Sequence, residues 1–185
     1  MAIQLIGEVR APLPAEPGKP LRYDTEDKRH GPANILMAFE PFAGQRHTQV
    51  TAQRTKVDWA HFSKALVAQP SPHVEKIRLV MDNLPPPTQA ALYATFEPPE
   101  AKRIADPLAI HDTPKHGRWL NMAEIARSHR SRHCLRGRIA AKATRINKVQ
   151  AWNRERNERH TKAHWQFTTE DARVKLRRLY PIILK

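Results

Sequence analysis

The sequence contains one cysteine, Cys134, so neither an internal disulfide nor a multi-cysteine zinc site is available, and paired-thiol redox chemistry goes with them. No apolar run approaches the roughly 20 residues that cross a bilayer. The opening MAIQLIGEVR carries an acid at Glu8 and has neither an apolar leader core nor a small-residue cleavage pattern. These absences lead us to expect a soluble, cytoplasmic protein. Acids are scarce in one half only. Residues 1–100 carry 11 basic and 11 acidic side chains, and the remaining 21 basic and 7 acidic ones lie in 101–185. The whole net charge of +14 is therefore C-terminal. Such asymmetry points to a polyanion, with nucleic acid ahead of a membrane surface because no strongly apolar amphipathic face accompanies the cations. A solvated Arg-rich helical surface is the plainer explanation, but runs such as RSHRSRHCLRGR exceed what solubility needs.

What is present is enough for one domain: 185 residues, 40% of them hydrophobic, with no internal repeat. QLIGEV reads as a short strand, and the Pro-rich residues 11–30 as an irregular arm with little regular structure. NILMAFEPFAG and QRHTQVTAQRT read as an antiparallel pair joined near 41–44. KVDWAHFSKALVAQ places Val57, Trp59, Phe62, Leu66 and Val67 at helical spacing, ended by Pro70 and Pro72. Thr88 is a candidate N-cap for a helix QAALYATF, and PPEAKRIAD continues helically from its prolines. PLAIHDTP is a short strand. The remainder reads as helices, WLNMAEIARSHRSRHCL, IAAKATRINKVQAWNRERNERH and TTEDARVKLRRLYPII. Strands come first, helices later.

Within EKIRLVMDNLPPP (75–87), Ile77, Leu79, Val80 and Met81 form a short run that reads as a buried strand, broken by three prolines. Asp82 thus sits where a core strand surfaces, a frequent place for a site in open α/β sheets. A turn-initiating Asp-Asn pair explains the same residues without function. Glu124 lies early in a helix; with Asn121 as N-cap, the pair forms a capping-box-like unit that accounts for Glu124 locally. Spacing alone does not show that Asp82 and Glu124 meet.

The strand ending in MDN, and above all TPKHGRWLNMAEI and WQFTTEDARVKLRRLYP, resemble insertion-sequence transposases of the DDE superfamily, in the bacterial branch related to Tc/mariner elements. The likeness runs over about 4–181, nearly the whole chain, which makes 1–185 a single catalytic domain. The resemblance implies an α/β, RNase H-like mixed sheet flanked by helices, with a basic helical C-terminal part. It also implies that three carboxylates hold two divalent metal ions, normally Mg²⁺ with Mn²⁺ as substitute. Asp82 matches the second acid and Glu124 the third. Asn83, Lys115 and His116 fall beside them and are cast as neighbours that touch DNA or orient ligands. Arg118, Arg127, Arg130 and Arg132 are the expected phosphate contacts. DNA is the implied partner, with a homo-oligomer assembled on it, nucleoid association when bound, and neither a membrane nor a small-molecule substrate.

Departures from the family pattern are specific. The first acid should stand a few residues before QLIGEVR, where only MAI is found, and the N-terminal helix-turn-helix region is also wanting. LPPPTQ follows MDN where the family continues with Asn, Thr and His, and AEIA replaces a more acidic continuation. A truncated or decaying copy is expected, inactive or impaired in cleavage. The alternative is a non-catalytic, sequence-independent DNA-binding remnant. Glu8, Asp24, Glu40 and Asp58 are poorly placed substitutes for the first acid, and Asp112 reads as a turn residue before Thr113-Pro114. His129, His133 and Cys134, or His160 and His164, have a metal-compatible spacing but lack the Glu of H-E-x-x-H, so they read as surface or DNA-facing histidines. Trp119 and Trp152 are expected in the core rather than stacked on bases.

Overall fold

The computed structural model describes residues 2–68, 75–82, 89–113, 121–124, 126, 134–135, 137–163, 166–175 and 177. Strands β1 (Ala2–Glu8), β2 (Asp27–Glu40) and β3 (Gln45–Thr51) form an antiparallel sheet in that order. The expected hairpin is present, with Asn34 opposite Thr51 and Glu40 opposite Gln45. Residues 27–30, expected to be irregular, are instead strand. Their order comes from pairing with β1, where Glu8 faces Asp27 and Gly7 faces Lys28. A bulge shifts the register between Gln4 and Ile6, and Gly31 on the facing strand adopts φ +88, which a residue without Cβ adopts freely. The rest of the arm makes only the isolated bridges Leu13↔Arg22 and Glu16↔Lys19.

Helix α1 (Lys56–Val67) starts where sequence spacing places it, on a capping box in which Thr55 Oγ1 accepts from Asp58 N and the Asp58 carboxylate accepts from Thr55 N. Such a cap contributes about 1 kcal/mol. A parallel pair follows, β4 (Ile77–Met81) and β5 (Leu108–Asp112), joined through α2 (Ala90–Tyr93) and α3 (Pro98–Ala105). The N-cap of α2 is Gln89, without a side-chain cap bond; Thr88 lies outside the described residues. The core gathers Trp59 and Ala60 of α1, Ala91 and Leu92 of α2, Ala101, Ile104 and Ala105 of α3, and Leu108 of β5. Glu100 ties α3 to α1 through Lys64 at 2.9 Å. Its hydrogen bonds to Arg103 and then Lys64 hold its carboxyl down to about 2.

Where the resemblance implies a single mixed sheet, the strands among the described residues form two, one antiparallel and one parallel. Part of the reason lies in β1, whose backbone is engaged by the C-terminal segment: Ile6 N donates to Ile139 O at 3.1 Å, and Arg145 donates to Ile3 O and Gln4 O at 3.0 and 3.1 Å. Arg145 opens the first turns of α4 (Lys142–Glu158), which begins three residues later than the sequence suggests. Farther along the same helix, Asn153 Nδ2 and Asn157 Nδ2 donate to Arg46 O while Asn157 Oδ1 accepts from Arg46 N, so α4 is anchored on both β1 and β3. Trp152 is buried in this contact region, as expected of a core residue, whereas Trp119 lies outside the described residues. The Arg46 guanidinium is also buried, donates to Gly44 O and Thr161 O, and lies 4.3 Å from the Phe39 ring centroid. Burial, then the nearby Arg156 charge, lowers its pKa. Helix α5 (Thr169–Lys175) repeats the Thr-Asp cap with Thr168 and Asp171.

Gly44 is a sensitive point of this docking. It has φ +69, and a Cβ built on it would stand 2.5 Å from the backbone of His160, itself at φ +43 where α4 ends. Gly44→Ala is expected to cost about 1–2 kcal/mol for the left-handed backbone alone, with the clash added. Thermal unfolding of the variant checks this, since each kcal/mol lowers the midpoint by roughly 2–4 °C in a chain of this size.

Candidate active site

Strand β4 alternates rather than being buried throughout, because one of its faces packs on the helical core and the other does not. Ile77, Leu79 and Met81 are half-buried, while Arg78 and Val80 are exposed. Ile77 and Met81 pack on the helical core, and Val80 is 54% exposed on the other face. The pairing runs one step past the strands, with Thr113 N donating to Met81 O at 2.8 Å. Asp82 therefore stands opposite Thr113, and by alternation shares the face of Val80. Asp112 is the register partner of Met81 and belongs to the other face. It closes β5 as a strand residue rather than the turn residue expected before Thr113-Pro114, because β4 pairs with it.

Asn121, 39 positions away, reaches this strand end. Its Nδ2 donates to Asp82 Oδ1 at 3.4 Å, and its Oδ1 accepts from Ala123 N at 3.0 Å. Residues 122–124 are helical, and Glu124 N donates to Asn121 O at 2.9 Å. One side chain thus touches Asp82 and caps the turn that carries Glu124. Asp82, Asn121 and Glu124 are all half-buried. The capping role assigned to Asn121 from sequence is what the helix start uses; its bond to Asp82 is what sequence spacing could not reveal.

The donors at this point are carboxylate oxygens, hard ligands of the kind Mg²⁺ and Mn²⁺ take. Among the described residues, no group of three His, Cys, Asp or Glu side chains comes together in a way that could hold a metal. The candidate substitutes for a further acid have other partners: Glu8 pairs with Arg138, Asp24 with Arg10, and Asp58 caps α1. Glu40 closes β2, near His47, whose pKa burial lowers and the Glu40 charge partly restores. His160 Nδ1 lies 3.2 Å from Gln45 Nε2, while His129, His133 and His164 are outside the described residues. Asn83, Lys115, His116, Arg118, Arg127, Arg130 and Arg132 are outside them as well.

Compared with known families, residues 1–147 match a family model described as DDE superfamily endonuclease. The chain belongs to the DDE superfamily of endonucleases. The match spans the greater part of the sequence, includes Asp82 and Glu124, and ends within α4. No curated protein and no solved structure matches. A DDE endonuclease domain implies transposase-type cleavage with DNA as substrate, and members of the superfamily generally work with divalent metal ions. Its mixture of antiparallel and parallel strands with helices is consistent with that class of α/β nuclease. Among the described residues, no helix is long and apolar enough to cross a membrane.

Proposed function

We propose that this DDE endonuclease domain is the RNase H-like catalytic part of a bacterial insertion-sequence transposase, and that Asp82 and Glu124 are two of its metal-binding carboxylates. The observation that carries the reading is the Asn121 side chain, which bonds to Asp82 and caps the turn bearing Glu124. A pair of Mg²⁺ ions held there would help activate a water or 3′-hydroxyl and stabilise the leaving oxygen during in-line attack on phosphate. Asp82 and Glu124 supply the negative charge that binds such ions, Asn121 orients them, and Asn83, Lys115 and His116 contact DNA or orient ligands beside them. Arg118, Arg127, Arg130 and Arg132 neutralise phosphates, with a homo-oligomer assembled on the DNA.

Two carboxylates are fewer than a paired-metal site of this kind uses, and the described residues provide no trio. This favours a second reading of the 185-residue chain acting by itself: impaired in cleavage and retaining sequence-independent DNA binding. A Mn²⁺ titration followed by the loss of free-ion paramagnetic signal tests the site. Asp82→Ala and Glu124→Ala should each weaken binding at least about 10-fold, since even supporting residues of metal sites cost 10–100-fold. Unchanged affinity in both variants would remove the site.

A further inference from the structure

Asn121 is placed to do more than begin a helix. A cap needs only a side-chain acceptor, and Ser, Thr or Asp serves as well as Asn. Here the acceptor oxygen is committed to Ala123 N, and the amide nitrogen extends to Asp82 Oδ1. Asn offers its acceptor and its donor on two separate atoms, so each partner meets its own atom, whereas a Ser hydroxyl has only one oxygen, held closer to the backbone. With Ser in its place the cap survives and the reach to Asp82 is lost. With Asp in its place the cap survives and a second carboxylate faces Asp82.

We infer that Asn121 is a positioning residue: its amide fixes the Asp82 carboxylate relative to the helical turn of Glu124, so that two acids 42 positions apart act as one ligand unit. This rests on the reading of Asp82 and Glu124 as metal ligands, and it assigns the residue that sets their mutual geometry. Asn121 itself need touch neither metal nor DNA. Its effect passes through Asp82, in the way that partners of metal ligands orient them.

The test has a metal-free arm and a metal arm. Without metal, Asn121→Asp should lower the midpoint of thermal unfolding by roughly 2–4 °C, about the loss of one hydrogen bond in a chain of this size. Adding Asp82→Asn should recover most of that loss, because the reciprocal pair again has one donor and one acceptor. A residue that only caps a helix predicts neither the loss nor the rescue. With Mn²⁺, Asn121→Ser should weaken binding about 10-fold at unchanged helical content, and should have no further effect in an Asp82→Ala background.

A neutral Asn121→Asp, a failed rescue, or Mn²⁺ affinity that ignores Asn121→Ser while falling with Asp82→Ala overturns the inference and leaves the acid site standing. Mn²⁺ binding that ignores Asp82→Ala overturns the acid site itself. The metal-free rescue separates that failure from the other, because it reads the Asp82 to Asn121 bond whether or not a metal binds.

Discussion

Purified as the 185-residue chain, the protein is expected to cut and join no DNA in either Mg²⁺ or Mn²⁺. The expectation follows from counting ligands. Mg²⁺ is small, holds its waters firmly and is retained by carboxylates in near-octahedral geometry. Two ions some 3.5–4 Å apart must both be held, and in-line displacement needs both the attacking and the leaving oxygen stabilised. On the proposed reading Asp82 and Glu124 anchor such a pair incompletely, and of the acids weighed as substitutes Glu8 pairs with Arg138, Asp24 pairs with Arg10 and Asp58 caps α1. The informative complement is an extended chain in which residues continuing β1 place an Asp ahead of Gln4. Metal-dependent nicking of plasmid DNA should then appear, and should vanish again with Asp82→Ala or Glu124→Ala. Cleavage by the unextended chain that depends on Asp82 would mean that another residue supplies the missing anchor, and the impaired reading would fail.

The second large effect concerns affinity for DNA. The excess of +14 resides in 101–185, so binding should be dominated by phosphate neutralisation rather than base readout. Each phosphate neutralised contributes about −0.9 to the slope of log K against log salt, so 6–10 contacts lower affinity by roughly 10³–10⁵ between 50 and 200 mM salt. Changing Arg127, Arg130 and Arg132 together to Glu should reduce the magnitude of the slope by about 2.7 if each meets one phosphate, and should weaken binding equally on unrelated sequences. Fluorescence anisotropy with two unrelated duplexes measures both quantities. Affinity indifferent to salt, or to the triple reversal, would remove the basic-surface argument while leaving the acid site untouched.

Local signals made much of the fold legible. Alternation in QRHTQVT gave β3, the apolar spacing around Trp59 gave α1, and the run before Asp82 gave β4 to the residue. Each depends on neighbours a few positions apart. What the sequence concealed depends on distant partners. Residues 27–30 are all polar or charged and read as irregular until β1 pairs with them. Arg46 and Arg145 carry no local mark of burial in a strongly basic chain, yet both are buried, with backbone carbonyls of Gly44, Thr161, Ile3 and Gln4 accepting their hydrogen bonds. Local sequence gave Asn121 as a cap and Asp82 as a strand end. That one side chain serves both is a fact of tertiary structure, set by how the turn at 121 returns to the end of β4.

The most direct measurement maps the metal itself. Fe²⁺ takes the place of Mg²⁺ at oxygen sites and, with ascorbate and peroxide, releases hydroxyl radicals that cut the polypeptide where the ion is held. Intact chain treated in this way should break at two places distant in sequence, near residue 82 and near residue 124. Excess Mg²⁺ should protect both places together, and Asp82→Ala should abolish both cuts rather than the nearer one alone. Cuts at one of the two segments only, at the His160 region instead, or unaffected by Asp82→Ala would contradict a shared carboxylate site.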